Sequence, residues 1–144
     1  MIHSRFYKGT PDFNIQGILV QEMVTEHVAE VIVGITRDPQ FGPTIMFGLG
    51  GIMVELLEDV SFRICPLSPS DAREMIREIK GYRVLNGFRG KPKADETALV
   101  KVLIRLSHLA VDLCESIHEI EINPLMVFAK RRGVKAADTT FLLC

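Results

Sequence analysis

Two β-rich runs set close together restrict the fold more than any other feature: "GILVQEMV" (17–24) and "AEVIVGITRD" (29–38), separated by the polar "TEH". Both are rich in β-branched residues, and they read as adjacent antiparallel strands. "DPQFGP" (38–43), with two prolines and a glycine, is a turn, and "TIMF" (44–47) is the next strand. A short segment around "IMVELLED" and a strand "SFRICPL" (61–67) follow. The helical signals come next. Ser70 can cap "DAREMIREIK", whose Ala72, Met75, Ile76 and Ile79 recur at helical spacing. After the Gly/Pro/Lys-rich connection "GYRVLNGFRGKPKAD" (81–95), a longer amphipathic helix is expected from Asp95 to Glu115. Its stripe of Leu99, Val102, Leu103, Leu106, Leu109, Ala110 and Leu113 reads as core. "IHEIEINPLMVF" (117–128) and "VKAADTTFLL" (134–143) then form a hairpin around the basic "AKRRG". Strands and helices in blocks define an α+β domain.

The balance of residues narrows the function. With 144 residues, 47% of them hydrophobic, the chain can bury the core of one domain. A formal net charge of −1 provides no field to hold polyanions, which sets nucleic acid aside as the main partner. No apolar run approaches the roughly 20 residues needed to cross a bilayer, and "MIHSRFYKGT" lacks the apolar core of a signal peptide. No membrane role and a cytoplasmic location are expected. Cys65, Cys114 and Cys144 lack CxxC spacing, and the first two lie in apolar elements, as buried reduced thiols do. The four histidines show no i,i+4 pair, so no structural metal is expected.

Chemistry gathers at two places. In the last hairpin, Glu119, Glu121 and Asn123 alternate with Ile120 and Ile122, so the oxygen-bearing side chains share one face. On its own that pattern also fits an ordinary half-exposed strand. A four-residue turn over Lys130–Gly133 pairs residues whose numbers sum to 263, which puts Asp138 opposite Leu125 and on the face of Asn123. Two carboxylates and an amide oxygen then converge, a set suited to Mg²⁺ completed by water and phosphate oxygens. The second place is "IMFGLGGIMVE" (45–55), with Gly48, Gly50 and Gly51 crowded together. Its G-x-G-G spacing is not a dinucleotide fingerprint, but bare backbone there lets amides approach an anion.

Taken together, "GILVQEMV…EVIVG…DPQFGPTIMFGLGGIMVELLEDVSFRICPLSPSDAREMI…LNGFRGKP…EIEINPLMVF…KAADTT" resembles the C-terminal lobe of an ATP-grasp domain. The pattern is most similar to the β subunit of ADP-forming acetyl-CoA and acyl-CoA synthetases, relatives of succinyl-CoA synthetase. The resemblance implies an antiparallel sheet with helices packed on one face. It also implies a lobe over residues 17–144 after an N-terminal extension, 1–16. By the same resemblance Glu121, Asn123 and Asp138 hold the Mg²⁺ of Mg-ATP, and Gln21, Glu22, Met23 and Val24 line the adenine. Gly48, Gly50 and Gly51 belong to the loop near the phosphates, which ends in Glu55. Arg63 either meets a phosphate or pairs with an acid, and Arg89 is either a feature of the family's site or a loop arginine tied to a neighbouring carboxylate, the second being preferred.

Such a site closes between two lobes, and the first lobe brings lysines that clamp the phosphates. "MIHSRFYKGTPDFN" does not supply that lobe, and no Walker-type loop replaces it. The resemblance therefore implies ATP or ADP as ligand, with partners that carry the N-terminal lobe and the CoA-binding, phosphohistidine-bearing part. An uncovered inter-lobe surface would favour self-association. In the intact system acyl-CoA, ADP and phosphate interconvert with acid, CoA and ATP. The alternatives are a non-catalytic nucleotide-binding regulatory module, as in acetyltransferases carrying a related region, and a structural remnant.

Overall fold

The computed structural model describes residues 17–51 and 59–144, so the expected N-terminal extension over residues 1–16 and the segment 52–58, with Glu55, lie outside the described residues. β1 (Ala29–Asp38) is the middle of a six-stranded sheet, flanked by β2 (Gly42–Leu49) on one side and β4 (Ile117–Val127) on the other, both antiparallel. β3 (Val60–Ile64) extends the sheet beyond β2. β5 (Val134–Ala136) and β6 (Thr139–Leu143) pair in succession along the far side of β4. The turn between β1 and β2 is tied by Asp38, whose Oδ1 accepts from the amides of Gln40 (2.8 Å) and Phe41 (2.9 Å).

The helices all pack on one face. α1 (Pro69–Glu78) lies against β3 and β2, and α3 (Glu96–Asp112) against β2 and β1. Ile45, Phe47, Met75, Ile76, Leu99, Leu103 and Ile120 are fully buried between the layers. The helix stripe read from the sequence is thus core, except at its end: α3 stops at Asp112, and Leu113 is partly exposed where the chain turns back toward β4. α1 starts earlier than expected because Ser68, not Ser70, caps it. Pro69 is favourable at the first helical position, and Ser68 and Asp71 satisfy each other's backbone amides. Asp95 caps α3 as expected, accepting from Ala98 N at 3.2 Å. The connection between α1 and α3 contains a short helix, α2 (Tyr82–Leu85), that its Gly/Pro/Lys content conceals.

One expectation fails outright. "GILVQEMV" forms no strand, and Ile18, Leu19, Val20 and Met23 are 80% to 88% exposed. Apolar β-branched composition shows that a segment can enter a sheet, not that an edge is open to it, and both edges of β1 are occupied by β2 and β4. Residues 17–28 are held instead by Glu22 to Lys135, by Glu26 to Arg132 and by the amide of Val28 on the carbonyl of Val127.

The thiols are all free: Cys65 is buried just beyond β3, Cys114 is half-buried in the turn after α3, and Cys144 is exposed. Burial pushes the Cys65 thiol up to about 11. No described helix is long and apolar enough to cross a membrane.

Candidate metal and phosphate site on the open face

The face of the sheet away from the helices carries the residues of interest, and a β-bulge decides which ones. Between β1 and β4 the register steps from Val31↔Leu125 to Val33↔Ile122, so Ile32 faces two residues, Asn123 and Pro124. The extra residue shifts the phase of alternation. Ile120 and Ile122 before the bulge are buried, and after it Leu125 and Val127 are buried. Glu121 and Asn123 are left half-buried out of phase with those side chains, while Leu125 joins the core. The peptide bond between Asn123 and Pro124 is cis.

Asp138 sits directly across from Asn123. The hairpin loop has four residues, but they are Ala129–Arg132, closed by Phe128 N on Gly133 O at 3.1 Å. Pairing starts one residue earlier than the sequence suggested, so Leu125 faces Ala136 and not Asp138. The expected shared side survives, because shifting both partners by one preserves parity. Between β5 and β6 the carbonyl of Asp138 accepts from Asn123 N at 3.2 Å. Side chains directly opposed in this way have Cβ atoms about 4.5–5.5 Å apart. Glu121, two residues before Asn123, faces Gly34 on β1 and Thr140 on β6.

The glycine turn reaches the same place. Gly48 pairs with Ile32, the residue opposite the bulge. Gly50 then passes so close to β1 that a Cβ would lie 2.7 Å from the carbonyl carbon of Val31, and its amide donates to Glu30 O at 2.9 Å. Gly51 adopts φ +63 and donates its amide to Asn123 Oδ1 at 3.2 Å. These contacts explain the glycines locally: a side chain at Gly50 would push two strands apart, and Gly51 is in the left-handed region. The Asn123 carbonyl oxygen, having accepted one amide, keeps a second lone pair.

Glu30 is a residue that sequence reasoning missed. One carboxylate oxygen lies 3.0 Å from His27 Nε2, and the other sits where a Cβ on Gly51 would meet it at 2.6 Å. His27 Nδ1 is buried without a hydrogen-bond partner among the described residues. A recess of about 340 Å³ opens beside Gly50, bounded by His27, Glu30, Val84 and Lys91 among others. The signal available in sequence was only the polar head of an otherwise apolar strand.

The remaining expected residues are not gathered with this group. Arg63 faces the helix layer, in register with Ile45, and its guanidinium pairs with Glu78 of α1. Of its two readings, pairing with an acid is the one the geometry contains. Arg89 lies over the Phe88 ring at 5.3 Å, so an aromatic face holds it in place of the expected carboxylate. Gln21, Glu22 and Met23 are exposed and Val24 half-buried. Glu22 meets Lys135, whose hydrogen bond and charge hold its carboxyl below the usual range.

The donor set suits a hard cation. Two carboxylates and an amide oxygen, one of them already oriented by a backbone amide, match the one or two protein carboxylates with water and phosphate that Mg²⁺ uses. Among the described residues no three His, Cys, Asp or Glu side chains are grouped as metal ligands.

A sheet with helices on one face and a glycine turn closing on an E-x-N strand defines a class. Residues 1–143 match the model of the ATP-grasp domain, and the chain belongs to that family. Among its relatives is acetate-CoA ligase (ADP-forming) II subunit beta of Pyrococcus furiosus, 47% identical over 142 residues, which cover 99% of this chain and 60% of that subunit. Acetate-CoA ligase (ADP-forming) I of Archaeoglobus fulgidus is 52% identical over 118 residues, 82% of this chain and 17% of that protein. The dinucleotide-forming acetyl-coenzyme A synthetase 1 of Ca. Korarchaeum cryptofilum was solved with coenzyme A and Mg-AMPPCP, its phosphohistidine segment pointing towards the nucleotide binding site. It superposes with a TM-score of 0.77 at 48% identity, covering 81% of this chain and 53% of that one. The chain thus spans about 60% of the length of the Pyrococcus subunit.

Proposed function

We propose that residues 17–144 act as the nucleotide- and metal-binding lobe of an ADP-forming acyl-CoA synthetase. The observation that carries this reading is the hydrogen bond from Gly51 N to Asn123 Oδ1, which joins the glycine turn to the strand bearing Glu121 and Asn123. Glu121, Asn123 and Asp138 would hold Mg²⁺, which when bound neutralises phosphate charge. The chain's own contribution is positional: Gly50 and Gly51 set the turn, Asn123 orients it, and Glu30 with His27 packs against its end. Phosphoryl transfer depends on such positioning and charge neutralisation more than on covalent chemistry by the protein.

Gln21 to Val24 would line the base, Glu55 would approach the phosphates from the loop, and Arg63 would act through Glu78 and not on a phosphate. In the complete system acyl-CoA, ADP and phosphate give acid, CoA and ATP, with the phosphoryl group carried on a histidine of another domain. The relatives' greater length and the "subunit beta" in their names support this dependence on further protein. So does the exposed run of Ile18, Leu19, Val20 and Met23, an apolar surface suited to an adjoining lobe or, failing that, to a second copy. The test is acyl-CoA-dependent formation of ATP from ADP and phosphate by the chain combined with an N-terminal lobe and a CoA-binding subunit. Activity should disappear in Asn123→Ala/Asp138→Ala, and its survival would overturn the metal assignment.

A further inference from the structure

A second hollow lies away from the glycine turn. It is a cleft of about 610 Å³ on the helix side, between α1, α2 and the N-terminal half of α3, and it contains none of the residues of the candidate metal site. Its charged lining is Arg73, Arg77, Lys93, Lys101 and Lys130 against Asp95 and Glu96. Both acids are consumed within the fold. The Asp95 carboxylate accepts from the amides of Ala98 (3.2 Å) and Gly133 (2.9 Å). Glu96 accepts from Arg77 and, at 2.9 Å, from the hydroxyl of Tyr82. Arg73 reaches only the carbonyl of Pro69, and Lys93, Lys101 and Lys130 have no ion pair among the described residues.

Two of these lysines are set against each other. Ala94 and Ala129 form an isolated antiparallel bridge, and the amide of Lys130 donates to the carbonyl of Lys93 at 2.9 Å, so the two lysines are direct cross-strand neighbours. Like charges in that relation are destabilising unless an anion lies between them. The volume falls in the range of small-molecule sites, and the walls supply apolar surface from Leu85, Val100 and Ile104.

We propose that this cleft is a second anion site, taking a small molecule that carries two or more phosphate groups. Lys93 and Lys130 hold one phosphate between them, and Lys101 and Arg73 face the next.

Pyrophosphate is the probe, titrated into isotopically labelled protein at constant ionic strength with EDTA present, so that a metal-dependent site does not contribute. Saturable one-to-one shifts at the amides of Lys93, Thr97, Lys101 and Lys130 are expected. They should be retained in Asn123→Ala/Asp138→Ala and weakened about tenfold or more in Lys93→Gln/Lys130→Gln, as loss of charged hydrogen bonds implies. The proposal is overturned by shifts that do not saturate, by equal affinity in the lysine variant, or by tighter binding of a hexaglutamate peptide than of pyrophosphate. Because EDTA removes the metal and the retained variant lacks the metal ligands, these failures leave the proposed metal site unaffected.

Discussion

The two faces of the sheet use the same strands for opposite purposes. On the helix face, β1 and β2 contribute Val31, Val33, Ile45 and Phe47 to a closed apolar layer with α1 and α3, and almost nothing there is accessible. On the other face the same two strands and β4 present Gly34, Gly48, Glu121 and Asn123, with Asp138 alongside, and no described helix packs on it. The lesson is that the bulge at Asn123 and Pro124 divides the labour. It lets β4 contribute Ile120, Ile122, Leu125 and Val127 to one side while leaving Glu121 and Asn123 on the other.

Substitutions should separate the faces. Leu103→Ala, on the closed face, is expected to lower stability by about 2–5 kcal/mol in chemical denaturation, with no change in the residues that respond to Mg²⁺. Gly50→Ala touches both sides, since its new Cβ meets the backbone of Val31. A loss of about 1–3 kcal/mol is expected, as for overpacking, together with weakened Mg-ADP binding by calorimetry. Asn123→Ala removes one hydrogen bond, to Gly51 N, and should cost only about 1 kcal/mol. Its effect on Mg-ADP binding should be far larger than its effect on stability, and the reverse order would erase the distinction between the faces.

The last effect is a pH slope on the closed side, absent at neutral pH. Because burial raises the Cys65 thiol to about 11, the folded chain keeps a proton there that the unfolded chain releases near its ordinary value of 9.0. Stability is therefore fully present below pH 9 and declines as pH rises towards 11. Denaturation curves of Cys65→Ala should decline less steeply than the wild type over that window.

The closed face was the more legible in sequence. Periodicity alone identified Ala72, Met75, Ile76 and Ile79 and most of the α3 stripe, because a buried helix face repeats over several turns. β1 fell on its expected residues, 29–38, for the same reason of sustained apolar content. The open face depended on register, which a few residues decide. Parity put Asp138 on the face of Asn123 but opposite Leu125, where Ala136 lies because the loop begins at Ala129 and not Lys130, and the bulge that sends Leu125 inward has no periodic signature. "GILVQEMV" was misread because pairing is a property of the partner edge. Glu30 was missed because its relation to Gly51 arises only when β1 and the end of β2 come together.

Manganese relaxation tests the central claim that the open face holds the metal. With Mn²⁺ and ADP added to labelled protein, amide broadening should centre on Gly51, Glu121, Asn123 and Asp138, and should vanish in Asn123→Ala/Asp138→Ala. Broadening centred elsewhere, or unchanged in that variant, would contradict the account.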